Sequence, residues 1–141
     1  MEISIRSQRR FSNRVDRARL ARIAARAVRL ERDERGLTVY VTDDAEMRNM
    51  NRRFHHTDRS TDVLSFPSAE PSYLGDIVIS FERARAQAAR AGWRVGDELE
   101  LLVVHGILHL LGYDDLSPRS RRAMWVRQRV ILGHAVKGEE L

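Results

Sequence analysis

The alternation of apolar and polar positions divides the chain into nine elements. Ile3 and Ile5 alternate with polar neighbours, which predicts a half-buried strand over residues 2–6. Val15, Ala18, Ile23, Ala27 and Leu30 then recur at near-helical spacing. This predicts a helix from about Ser12 to Glu34, capped by Ser12 or Asn13 and ended by Gly36. Leu37–Thr42 is rich in β-branched residues and reads as a strand. Asp43 or Asp44 caps a short helix through Arg53. Thr61–Phe66 is a strand stopped by Pro67, and Ser68–Tyr73 is a loop. Gly75–Ser80 is a further strand, and Ser80 caps a helix to Ala91 that Gly92 ends. The segment 97–111 is apolar nearly all round, which predicts a central helix. Ser117 and Pro118 open a last, basic helix ending near Gly133. Four strands and five helices in mixed order predict an α+β fold, with a small mixed four-stranded sheet in a single domain over residues 1–141.

Composition narrows the function. With 141 residues, 43% of them hydrophobic, the chain is long enough for a real core and too apolar for a disordered tail. No apolar run reaches the ~18 residues of a membrane span. The absence of cysteine removes disulfides, thiolate-bound zinc and a thiol nucleophile. Any metal is therefore left to histidine and carboxylate. Residues 1–36 hold eleven arginines against five acids, residues 37–116 eight against thirteen, and residues 117–141 six basic residues against two acids. An acidic middle between two basic ends suits a polyanionic partner, although solvated Arg-rich helix faces explain the same pattern. The Arg-rich start is read as part of the fold and not as a transit peptide, because its apolar residues keep strand and helix periodicity.

The chemistry concentrates in His105-Gly106-Ile107-Leu108-His109-Leu110-Leu111-Gly112-Tyr113-Asp114-Asp115. Two histidines four apart share one helix face, separated by ~6 Å of rise, so both imidazoles reach one ion. Gly112 permits a left-handed turn, after which Asp114 or Asp115 doubles back toward the same point. Two His and one carboxylate leave a coordination position open, the layout of a catalytic zinc site. The alternative, a pair of satisfied core histidines, needs partners for two polar rings in the most apolar helix. The spacing matches the metzincin pattern except that Gly106 replaces the glutamate and Asp115 the third histidine. Without that glutamate no group protonates a leaving amine, which disfavours a metalloprotease. Phosphodiester cleavage asks less of such a residue.

Residues 105–115 resemble the signature H-G-x-L-H-L-x-G-Y-D-H of the YbeY family, with only Asp115 departing. Asn51–Pro67 (NRRFHHTDRSTDVLSFP) resembles that family's N-x-x-[YF]-R-x-x-[DN]-x-P-T-D-V-L-S-F-P stretch, and Leu74–Ser80 (LGDIVIS) its L-G-D-I-x-I-S strand. Glu98 and Met124 also fall where the family usually has Glu and Met. The resemblance implies an endoribonuclease of single-stranded RNA that matures the 3′ end of 16S rRNA and takes part in ribosome quality control. It implies cytoplasmic work on ribosomal particles and no membrane partner. It also implies one Zn²⁺ per chain on His105, His109 and Asp115.

Two departures bear on mechanism. Asp115 in place of histidine lowers the charge of a loaded site by one unit, which shifts preference toward harder divalent ions such as Mn²⁺ or Fe²⁺. His55 stands where the family has a phosphate-binding Arg, so His55 itself, Arg53 or Arg59 takes that contact. Asp76 is a candidate general base or a partner for a ligating histidine. Thr61, Asp62 and Ser65 are placed to line the cleft, and Tyr113 either stacks on a base or packs under the turn. Arg52 and His56 read as solvated loop residues, Met124 and Trp125 as core, and His134 as exposed. The expected substrate contacts are thus Arg53, Ser65 and Tyr113, and the expected catalytic groups His55, Arg59 and Asp76. A ribosome-associated RNA-binding factor with a mainly structural metal is the competing reading. A mononuclear iron oxygenase shares the ligand set but has no cosubstrate signal in the sequence.

Overall fold

The structure is a computed structural model, and it describes residues 1–55 and 61–137. The elements run β1 (Ile3–Ser7), a single 3-10 turn (Arg9–Phe11), α1 (Arg17–Leu30), β2 (Gly36–Thr42), α2 (Asp44–His55), β3 (Val63–Pro67), β4 (Tyr73–Ser80), α3 (Phe81–Ala91), α4 (Val95–Leu110) and α5 (Pro118–Leu132). The sheet order is β1-β2-β4-β3. β1 and β4 run parallel to β2, while β3 returns antiparallel to β4. This is the mixed four-stranded α+β arrangement expected from the pattern.

The two faces of the sheet are covered differently. Side chains alternate along a strand, so Ile77 faces α4 whereas its neighbours Asp76 and Val78 face the other way. On the far side Met47 of α2 packs with Leu64 and Val78 in a small cluster. The main core lies on the near side, between the sheet, α1 and α4, and includes Leu20, Val39, Ile77, Ile79, Val103 and Ile107. α4 is central as its composition predicts, with Leu99, Leu102, Val103, Val104, Ile107 and Leu108 buried. It comes so close to β4 that a Cβ on Gly106 would stand 2.8 Å from Ile77 Cγ2.

Several boundaries move from their predicted places. α1 starts at Arg17, where Asp16 accepts the Arg19 backbone N–H at 3.0 Å. The residues before it form a separate anchor: Phe11 stacks on Phe81 with ring centroids 4.6 Å apart. The buried stripe of α1 is Leu20, Ile23, Ala24, Ala27 and Val28, so Ala18 and Leu30 are exposed against expectation. The helix stops at Leu30, before the predicted Glu34, because Arg32 turns left-handed (φ 57°) and the Asp33 carboxylate takes the next two backbone N–H groups. β4 begins earlier, at Tyr73, and passes Gly75 at φ 151°, where a Cβ would meet the Phe66 carbonyl oxygen at 2.4 Å.

Candidate metal centre

α4 sets one stripe of polar side chains into its outer face: Glu98, His105 and His109, spaced at seven and four residues and therefore aligned. His105 Nε2 and His109 Nε2 approach to 3.0 Å. Two tetrahedral zinc ligands at ~2.0–2.1 Å from one ion stand about 3.3 Å apart, so the separation suits a shared ion. The helix ends on the Gly112 turn (φ 102°), and the chain doubles back to bring Asp115 in. Ligand atoms of His105, His109 and Asp115 all lie within 4.8 Å of one another. The neighbouring Asp114 is used otherwise. It accepts the Leu116 backbone N–H at 3.0 Å, and its bonds to Ser120 and that N–H hold its carboxyl below the usual range.

The trio fits a divalent cation by its own chemistry. His105 Nδ1 meets Gln128 Oε1 of α5 at 2.7 Å. A carbonyl oxygen only accepts, so Nδ1 carries the proton and the Nε2 lone pair faces His109. Burial holds the His105 imidazole below its ordinary pKa, which keeps that lone pair free at neutral pH. The carboxylate of Asp115 is exposed, so the three donors open on solvent. They floor a groove walled by Thr61, Asp62, Val63, Ser65 and Pro67. Ser65 donates its hydroxyl to the Gly106 carbonyl at 3.1 Å, fixing β3 against α4.

Other expected site residues fall elsewhere. Asp76 lies on the opposite face of the sheet, where Tyr73 donates to its Oδ1 at 2.5 Å and Thr38 Oγ1 lies 2.6 Å from the same hydroxyl. A sheet one strand thick separates it from the histidines, so it orients neither. Tyr113 is also spoken for: its hydroxyl donates to Glu31 Oε1 at 2.6 Å, and Arg127 Nε holds Glu31 Oε2 at 2.8 Å. The ring packs beneath the turn, against the core. Arg53 is exposed on α2 with its guanidinium 5.4 Å from the Phe54 ring centroid. His55 is the last residue of α2. Arg59 and His56 lie outside the described residues. Trp125, expected in the core, is half-buried at a cavity wall, whereas Met124 is buried and His134 exposed as expected.

Gln128 was not singled out from the sequence. The available signal was an uncharged polar residue four positions after buried Met124, on the inner face of an arginine-rich helix. Glu98 was noticed only by its position in the family pattern. In the structure it is 5% exposed, its Oε1 accepts the Trp93 indole N–H at 2.9 Å, and burial raises its carboxyl above the ordinary value.

A mixed sheet with a central helix carrying two histidines, closed by an aspartate after a glycine turn, defines a small α+β protein built round a metal-capable trio. The family model described as "Endoribonuclease YbeY" matches residues 3–136. The chain belongs to the YbeY family. It is 41% identical over 128 residues to an endoribonuclease YbeY of Anaeromyxobacter dehalogenans, covering 88% of this chain and 66%, just under two thirds, of that protein. It is 44% identical over 115 residues to that of Solibacter usitatus, covering 82% of this chain and 78% of that one. The solution structure of TM1509 from Thermotoga maritima superposes with a TM-score of 0.67 at 27% identity, covering 92% of this chain and 86% of that one.

Proposed function

We propose that this protein is a metal-dependent endoribonuclease that cuts single-stranded RNA, with one Zn²⁺ or a harder divalent ion held by His105, His109 and Asp115. The observation that carries the reading is the convergence of those three donors at the floor of a solvent-open groove. A divalent ion bound there supplies an acidified water and stabilises charge on the phosphoryl oxygens. The chain's own residues do the rest. Gln128 fixes the His105 tautomer, and the apolar body of α4 keeps both imidazoles from swinging away. Asp62, at the groove edge, is the carboxylate positioned to hold a proton in place of Asp76. His55 and Arg59, flanking the groove in sequence, contact the substrate phosphate. Gly106 argues against peptide hydrolysis in space as well as in sequence. Its Cα faces Ile77, and a glutamate there would collide with β4 instead of reaching the groove.

By family, the substrate is a precursor of 16S rRNA on ribosomal particles, with the protein acting in 3′-end maturation and ribosome quality control in the cytoplasm. Among the described residues no helix is long and apolar enough to cross a membrane. The test is cleavage of a single-stranded oligoribonucleotide by chelated, metal-reconstituted and His109→Ala protein. Cleavage by the reconstituted protein alone, at least a hundredfold above the other two, is the expected result. Equal cleavage in all three sinks the metal mechanism. Metal-loaded protein that binds the RNA without cutting it returns the reading to a ribosome-associated binding factor.

A further inference from the structure

A second cavity, of about 410 Å³, adjoins the metal groove, and Asp62 and His105 line both. Its volume falls in the range of small-ligand sites, roughly 300–1,000 Å³. Two polar side chains that line it are more than nine-tenths buried: Glu98 at 5% and Gln128 at 3% exposure. Each spends one atom on the fold and keeps one. Glu98 Oε1 takes the Trp93 indole N–H, and Gln128 Oε1 takes His105 Nδ1–H. Glu98 Oε2 and Gln128 Nε2 have no hydrogen-bond partner among the described residues, and neither atom is sealed from the cavity. A ligand that enters and displaces solvent from the cavity therefore meets one acceptor and one donor that the fold leaves over. Trp125 supplies an aromatic wall, and Arg90 and Lys137 are the cationic residues of the lining.

We propose that this cavity receives one unstacked nucleobase of the RNA strand, beside the phosphate at the metal centre, and that it prefers bases with an exocyclic amino group. This rests on the nuclease reading above. The amino group donates to the free Glu98 oxygen while Gln128 donates to a ring acceptor, the pairing logic by which carboxylates read amino-bearing bases. Uracil presents a carbonyl where the amino group would stand, setting oxygen against oxygen. Trp125 adds stacking that all bases share. The cationic side chains take the flanking phosphates. Because His105 belongs to both spaces, a base held here fixes the next phosphodiester over the histidine pair.

Of the chain's two tryptophans, Trp125 lines this cavity and Trp93 is hydrogen-bonded to Glu98, which lines it. Their fluorescence therefore reports occupancy without metal or turnover. In metal-free protein, CMP and AMP are expected to bind about tenfold more tightly than UMP, and ribose 5-phosphate more weakly than any of them. Glu98→Gln is expected to abolish the preference over UMP, and Trp125→Ala to weaken all three nucleotides together. Trp125 is half-buried, so its variant keeps the test open should Glu98→Gln fail to fold. Equal affinity for CMP and UMP in the unmodified protein overturns the proposal. So does nucleotide binding that Trp125→Ala leaves unchanged, or the absence of saturable binding. Metal-loaded protein that cuts RNA yet shows no base binding overturns this subsite alone. Protein that binds CMP yet never cuts RNA overturns the nuclease reading alone.

Discussion

Two polar clusters sit at the C-terminal end of α4, and they are built on opposite principles. In one, the Tyr113 hydroxyl and the Arg127 guanidinium both donate to Glu31, so donors meet acceptors and the charges cancel. In the other, His105, His109 and Asp115 turn three potential ligand atoms toward one point that opens on solvent, and the two histidines have only each other's Nε2 at 3.0 Å there. The first cluster ties the end of α1, the turn after α4 and α5 together, with both oxygens of Glu31 taken by donors. The second is stable only because something positive completes it, whether protons, water or a cation. A saturated cluster is a strut, and an acceptor-rich one that opens on solvent is a site.

The sharpest way to break the comparison is to exchange the two adjacent aspartates. Asp115→Asn removes the anionic ligand and is expected to weaken metal binding about a hundredfold, read by competition with a chromophoric chelator, with little change in Tm. Asp114→Asn is expected to do the reverse: metal affinity intact, and a small loss of stability from the turn and the start of α5, read as a lower Tm. If the two variants behave alike, the assignment of the third ligand is wrong.

Gln128→Leu separates support from ligation. It keeps the volume but removes the acceptor on His105 Nδ1, and is expected to lower metal affinity about tenfold. Unchanged affinity would mean that the tautomer is set elsewhere. Tyr113→Phe then probes the strut. Loss of one hydroxyl bond to a charged carboxylate is expected to cost about 1–2 kcal/mol in denaturant unfolding while metal affinity and RNA cleavage stay unchanged. A fall in RNA binding would instead restore Tyr113 as a base-stacking residue.

This contrast also explains which parts of the site were legible beforehand. Periodicity carried the sheet, the central helix and the shared face of His105 and His109, because those follow from local geometry. It missed the exposure of Leu30 and the start of α1, which is held back to Arg17 behind a segment anchored by the stacking of Phe11 on Phe81, a contact between residues seventy apart. It left Asp114 and Asp115 undecided, since either has the reach and only the bond to the Leu116 N–H withdraws one of them. Asp76 looked like a site residue because it precedes an apolar strand. Its face of the sheet depends on strand register, and the parity places it behind β4. Of the two readings of Tyr113, packing under the turn is the one the structure has, and the sequence left it undecided because its hydroxyl partner Glu31 lies 82 positions away.

The smallest expected effect distinguishes the clusters by acid. Burial lowers the His105 pKa below its ordinary value near 6.5, so in the unfolded chain this ring takes up a proton at a higher pH than in the folded one. Its contribution to stability is therefore fully present above about pH 6.5 and is lost as the pH falls toward the folded value. In metal-free protein, Tm should decline through that window, and His105→Ala should flatten the decline even though it lowers Tm overall. Saturating metal should steepen the decline and extend it to lower pH, because the ligated ring takes up no proton in the folded state while the unfolded one still does. Tyr113→Phe should shift the whole curve down without changing its slope, since the phenol does not titrate in this range. If His105→Ala keeps the slope of the unmodified protein, the acid sensitivity belongs to other groups and burial does not hold a neutral imidazole ready for a cation at this position.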